Sequence, residues 1–192
     1  PRGNAAAGNV LMPGCTLVFG ISGVGKTTAC RDYVKRHPDT LFVSASSLLK
    51  SSMGMSGDAL RTAAAGEIVQ NQAVLGTALA EFRRGREAQA VLVDAHGVID
   101  NDQALVPVPV SAIEALAPDH LILLEAPPTV VAAHRAAGVR PRPVRSVAAI
   151  EAELFAERET VEGFARTLGL HLAIVEVTPG FQLDALMGER RP

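Results

Sequence analysis

FGISGVGKTT, Phe19 to Thr28, lies between the apolar run CTLVF and an amphipathic run that reaches Pro38. Gly20, Gly25, Lys26 and Thr27 satisfy the pattern G-x-x-x-x-G-K-[ST], in the order strand, loop, helix. Glycines at 20, 23 and 25 let the backbone fold tightly enough for successive N–H groups to surround an anion at a helix N-terminus. Lys26 adds a charge for β and γ phosphates, and the Thr27 hydroxyl suits Mg²⁺. Gly20, Ser22, Gly23, Val24, Gly25, Lys26, Thr27 and Thr28 are therefore the expected phosphate-binding set. A magnesium-bound nucleotide is the ligand they imply.

The chain has 192 residues, 48% of them hydrophobic, enough for one well-buried core. Residues 1–14 read as a linker or tag and 15–192 as a single domain. A net charge of −2, 4% aromatic residues and no Trp disfavour a nucleic-acid partner. No apolar stretch approaches the length of a membrane span. Cys15 and Cys30 read as small buried hydrophobes, fitting a reducing, cytoplasmic setting. An oligomer is compatible with the sequence, although no interface is legible in it.

Outward from the loop, LFVSAS (41–46), AVLVD (90–94), HLILLEA (120–126) and LHLAIVEV (170–177) read as further short apolar strands. A Ser-rich, Met-containing stretch through Gly57 reads as a segment where mobility is expected. Apolar positions Leu60, Ala64, Ile68, Leu75 and Phe82 have helical spacing, with Gly66 and Gly76 as the expected division into two helices. DAHGVIDNDQALVPVPV reads as a Pro-punctuated loop, SAIEALA and PPTVVAAHRAA as helices, and Val147 to about Leu168 as a long helix. Alternating strands and helices predict an α/β fold of three layers, a parallel sheet covered by helices on both faces, with the ligand at the strands' carboxyl ends.

That topology carries Asp94 to the phosphate loop, either to orient hydrated Mg²⁺ opposite Thr27 or to cap the following turn. His96, two residues on, is a candidate for substrate phosphate or a structural histidine. On the long helix, Val147, Ile150, Leu154, Val161, Ala165 and Leu168 share one face, with Arg158 in its middle. A guanidinium cannot be buried unpaired, so Arg158 must meet Glu151 or a nucleotide phosphate. Arg140, Arg142 and Arg145, spaced by prolines in RPRPVR, suggest a short lid over about 138–146. Arginines on such a segment stabilise phosphoryl transfer by charge. Arg83, Arg84 and Arg86 close a helix C-terminus and receive no role. The histidines and cysteines lack zinc-ligand spacing.

Together these features resemble the archaeal-type adenylate kinases, a branch of the P-loop nucleoside monophosphate kinases. The resemblance rests on GISGVGKTT, on VDAH, on VPVPVSAIEALAPDHLILLE, on RPR at Arg140 and Arg142, and on IEAELFAER ending at Arg158. It implies transfer of the γ-phosphoryl group of MgATP to a nucleoside monophosphate, AMP first. Lys26 and the loop would hold the donor, Arg61 and His96 the acceptor, Arg140, Arg142 and Arg158 the transferring group, and Thr27 with Asp94 the Mg²⁺. The acceptor segment would be about 44–85, where SASSLLKSSMGMSG departs from the family pattern. Two alternatives stand beside it: a P-loop kinase for another small-molecule acceptor, and an ATP-binding or ATPase regulatory module. No N-K-x-D guanine motif occurs.

Overall fold

The computed structural model describes residues 14–138 and 144–187, and for Arg61 the backbone alone. Residues 1–13, and Arg140 and Arg142 of the expected lid, lie outside the described residues.

Strand β1 (Cys15–Phe19) is buried along its whole length, as a strand covered on both faces must be. It leads through the glycine-rich loop into α1 (Lys26–Arg36). β2 (Leu41–Ser44), β3 (Val91–Asp94), β6 (His120–Glu125) and β7 (Leu172–Glu176) complete a five-stranded sheet of order β2-β3-β1-β6-β7. All its pairings are parallel. Side chains of alternate residues leave β1 on opposite faces. Leu17 and Phe19 join one apolar cluster with Val93, Leu123 and Phe164, while Val18 joins another with Cys30, Ile122 and Val131. The fold class read from the sequence is the one observed.

Two segments differ from their sequence reading, and a third is defined by the structure. In the Ser-rich stretch lies α2 (Ala45–Met53), started by Ser44, whose Oγ accepts from the Ser47 N–H. Beyond it come three helices rather than two, α3 (Gly57–Thr62), α4 (Ala65–Gln72) and α5 (Leu75–Arg83). The breaks fall at Ala63–Ala64 and Ala73–Val74, and Gly66 and Gly76 are helical. Gly76 serves packing instead, since a Cβ there would stand 2.7 Å from the Ala115 carbonyl oxygen. The Pro-punctuated loop contains an antiparallel hairpin, β4 (Val98–Asp100) and β5 (Leu105–Pro107), whose turn is closed by Asn101 Oδ1 accepting from the amides of Gln103 and Ala104.

α6 (Val110–Glu114), α7 (Pro128–Ala137) and α8 (Val147–Leu168) lie where expected, and α9 (Asp184–Met187) is the last described helix. Pro128 opens α7, where its missing N–H costs no helical bond. Ser146 caps α8, and Gly169 ends it in the left-handed conformation, φ 65°. Among the described residues no helix is long and apolar enough to cross a membrane.

Cys15 and Cys30 are both buried and free, and burial pushes each thiol up to about 12. A thiol held this far above neutral pH is almost entirely protonated and poorly nucleophilic. Iodoacetamide at pH 8 should leave both unmodified in the folded protein and modify both in urea, as read by intact mass.

Candidate active site

The parallel register sets Val18 beside Asp94. One residue past Phe19 the chain turns into the phosphate loop, so the carboxylate that ends β3 faces the first turn of α1. Thr27 Oγ1 donates to Asp94 Oδ2 at 2.5 Å, and Lys26 Nζ stands 3.7 Å from Asp94 Oδ1. Lys26 is buried, its ammonium folded back on the loop's own carbonyls, Gly20 O at 2.5 Å and Ile21 O at 3.3 Å. Gly20 and Gly25 have φ of 139° and 102°, values an L side chain rarely adopts, and a Cβ at Gly20 would meet the Leu124 carbonyl oxygen at 2.4 Å.

The least exposed charged group near the loop is Glu157 of α8, 1% exposed. Its Oε1 accepts from the amides of Gly20 and Gly97, each at 2.9 Å, and its Oε2 from Gly97 at 3.0 Å and Val98 at 2.8 Å. One carboxylate thus joins the start of the phosphate loop to the segment that follows Asp94. Burial raises its pKa, against the pull of the three amides and of Lys26.

α7 braces the loop from its other side. Arg135 Nε donates to Ser22 O at 2.8 Å, while its Nη2 donates to both Glu153 oxygens at 2.9 Å. His134 Nδ1 lies 2.9 Å from Gly23 O. Glu153 also titrates above the ordinary glutamate range, burial outweighing Arg135. On the β4–β5 hairpin, Asp100 and Asp102 both pair with Arg145.

Two cavities meet at the loop. The larger, about 1100 Å³, is lined by Ser22 to Thr28, Arg36, Asp94, Val177, Thr178 and Phe181 among others. The smaller, about 420 Å³, lies between α2, α3, α4 and the hairpin, and its walls mix aliphatic side chains with polar and charged ones. Ser22, Ser46, Lys50 and His96 line both.

The sequence reading placed Ser22, Gly23, Val24, Gly25, Lys26, Thr27, Thr28, Asp94 and His96 around one space, and all of them line the larger cavity. Gly20 lies beneath, joined to Lys26 and Glu157. The placement of Arg158 is corrected. The buried face of α8 is Ile150, Glu153, Glu157, Val161 and Phe164, one residue out of phase with the expected stripe. Arg158 is turned outward, its side chain 46% exposed and its guanidinium paired through Nε and Nη2 with Glu125 at the end of β6, not with Glu151. Arg61 lies on α3, its side chain outside the description.

Arg135, Glu153 and Glu157 were missed. Glu157 had a signal, being the charged neighbour of Arg158 on a stripe whose phase two adjacent residues both fit. Arg135 had none, for its carbonyl partner is created by the loop's fold.

Thr27 and Asp94 fit a Mg²⁺ site of the kind this loop implies. They offer a hydroxyl and a carboxylate, hard oxygen donors already within hydrogen-bond distance. Among the described residues no group of three or more His, Cys, Asp or Glu is arranged as a metal cage. Such a sparse protein contribution suits an ion held mainly by water and phosphate oxygens.

The AAA domain family (AAA_17) matches residues 19–151, about two-thirds of the chain, and the protein belongs to that family. No curated protein sequence matches it. Among solved structures it is similar to the shikimate kinase of Acinetobacter baumannii in complex with shikimate, at TM-score 0.58 and 16% identity over 88% of this chain and 86% of that one. The shikimate kinase of Bacteroides thetaiotaomicron gives TM-score 0.52 and 11% identity, over 84% and 85%. The tunicamycin resistance protein of Deinococcus radiodurans gives 0.51 and 19%, over 84% and 98%. At such identities the likeness is one of fold. The narrower resemblance to archaeal-type adenylate kinases is not among these findings.

Glu157→Ala would leave three buried amides without their acceptor and should cost roughly 3 kcal/mol or more in urea unfolding. Glu157→Gln, keeping one acceptor oxygen, should cost less. Glu153 and Glu157 both titrate above their ordinary range when folded. Their contribution is therefore complete below the ordinary glutamate pKa and lost as pH rises through the raised values. Stability should fall with rising pH just above that range, and the slope should flatten in Glu157→Gln.

Proposed function

We propose that the protein is an ATP-dependent phosphotransferase acting on a small-molecule acceptor. The observation that carries this reading is the pair of cavities meeting at Ser22, Ser46, Lys50 and His96, with the phosphate loop on the larger side. A nucleotide hydrolase needs one cavity for its nucleotide; a second, sharing a wall with the phosphate site, fits a second substrate. The fold likeness to the two shikimate kinases supports this reading.

In this proposal the loop amides hold the ATP phosphates, and Lys26 exchanges its loop carbonyls for β and γ oxygens. The nucleoside extends toward Val177, Thr178 and Phe181. Thr27 and Asp94 would hold Mg²⁺, which when bound supplies charge neutralisation to the phosphate tail. The acceptor lies in the smaller cavity with its nucleophilic oxygen toward the shared wall. As that oxygen bonds to the γ-phosphorus, releasing its proton to solvent where it is a hydroxyl, the bond to the β–γ bridging oxygen breaks and ADP leaves. His96 stands where the two substrates meet. Arg158 would act from its place beside Glu125 by exchanging that carboxylate for the transferring group, and Arg140 and Arg142 are retained as lid arginines.

A nucleoside monophosphate, AMP first, is the second reading of the acceptor. Its support is His96 on both cavities, two residues after Asp94 as in the resembled family, with Arg61 on the helix beside the smaller cavity.

The test incubates the protein with MgATP and, separately, AMP, GMP, CMP, UMP, shikimate and a set of hydroxylated sugars and sugar acids, with phosphorylated product read by mass spectrometry. Product from any one supports the reading; ADP formed by hydrolysis alone across the panel overturns it. Lys26→Ala should reduce transfer to background. Arg158→Ala should remain folded, within about 1 kcal/mol of the parent because the pair is partly exposed, and should lose at least tenfold in kcat; unchanged kcat would return Arg158 to a surface pair with Glu125.

A further inference from the structure

Gln72 is the last residue of α4 and 5% exposed, yet its carboxamide takes part in none of the described hydrogen bonds. It lines the smaller cavity and not the larger. The buried charges among the described residues are differently placed: Lys26, Asp94, Glu153 and Glu157 all have partners within the protein. Gln72 also interrupts an apolar stripe, for Ile68 four residues before it and Leu75 three after are each 1% exposed. Leu or Met at this position would fill the same space with no polar group to desolvate. The Gln72 amide atoms are not sealed from solvent, so the carboxamide opens onto the cavity and is available to a ligand there.

We infer that Gln72 is a specificity-determining residue of the acceptor site, reading an uncharged hydrogen-bonding edge on the part of the acceptor remote from the transferred phosphoryl group. This rests on the phosphotransferase reading and deepens it. A carboxamide presents one acceptor oxygen and two N–H donors on a single plane, so it matches a ligand edge carrying a donor beside an acceptor. Leu60, Leu75, Val108, Ile113 and Leu116 supply the aliphatic part of the cavity wall, while charged side chains, Lys50, Asp58 and Arg135 among them, line it elsewhere. The part of the ligand that Gln72 meets is thus an uncharged polar edge beside an aliphatic wall. A nucleobase and a hydroxylated carbocycle both supply that chemistry, and the panel separates them.

The experiment compares the parent with Gln72→Met and Gln72→Leu, first by thermal unfolding without substrates, then by steady-state kinetics on AMP, GMP, CMP, UMP, shikimate and the sugar set. Without substrates both variants should melt at or above the parent temperature, since the lost group had no partner. With whichever compounds are phosphorylated, KM for the acceptor should rise about tenfold or more, with kcat and KM for ATP within about twofold. Nucleotide acceptance with a base-dependent loss identifies the nucleobase; acceptance of shikimate or a sugar identifies the hydroxylated ring. Variants that melt well below the parent overturn the inference, because Gln72 is then a structural amide. An unchanged acceptor KM also overturns it. A panel yielding only hydrolysis overturns the phosphotransferase reading and, with it, this one, while the melting result separately reports whether the carboxamide is structural.

Discussion

The site is organised around a carboxylate that has been taken out of water. Glu157 accepts from the amides of Gly20, Gly97 and Val98, and no other acceptor for these amides is described. Its removal from solvent is offset only because three donors and the nearby Lys26 converge on it. The consequence reaches both sides of the candidate reaction. Gly20 opens the phosphate loop and lends its carbonyl to Lys26, while Gly97 directly follows His96. A shift of α8 would therefore move the loop and the Asp94–His96 segment together.

A second tie, Arg135, has a different physical character. It donates to the loop backbone at Ser22 and holds Glu153 of α8. α7 and α8 are thus joined through the group that braces the loop, and the residues between them include the arginine-rich segment read from the sequence as a lid. Gly97 completes the arrangement, for a Cβ there would stand 2.9 Å from Val161 of α8 and 3.3 Å from Glu157 Oε2. Close approach of the hairpin's leading segment to α8 is what permits the triple hydrogen bond.

Several features were legible because they are local. The loop pattern spans eight positions in a row, Gly20 to Thr27, and chain order alone fixes them. Asp94 was legible because a strand of four apolar residues ending in an acid has few explanations once the sheet is parallel. α8 was legible in its extent, Val147 to Leu168, but not in its phase. Ile150, Val161 and an apolar residue near 164 fit two stripes about 100° apart, and placing Arg158 rather than Glu157 inward followed from choosing one. The glycines between 58 and 85 misled for a related reason: Gly76 is there to let α5 approach Ala115, a contact with no trace in local sequence.

The sequence by itself determined the layered fold, the phosphate loop and the carboxylate facing it, because period, glycine placement and strand order are properties of neighbours along the chain. Only the tertiary structure decided that Glu157 is the buried charge, that Arg135 braces the loop, and that a second cavity with Gln72 in its wall adjoins the first. Those depend on which groups meet after α7, α8 and the hairpin pack, and the pairing of a buried polar atom is set by its surroundings rather than by its own residue type.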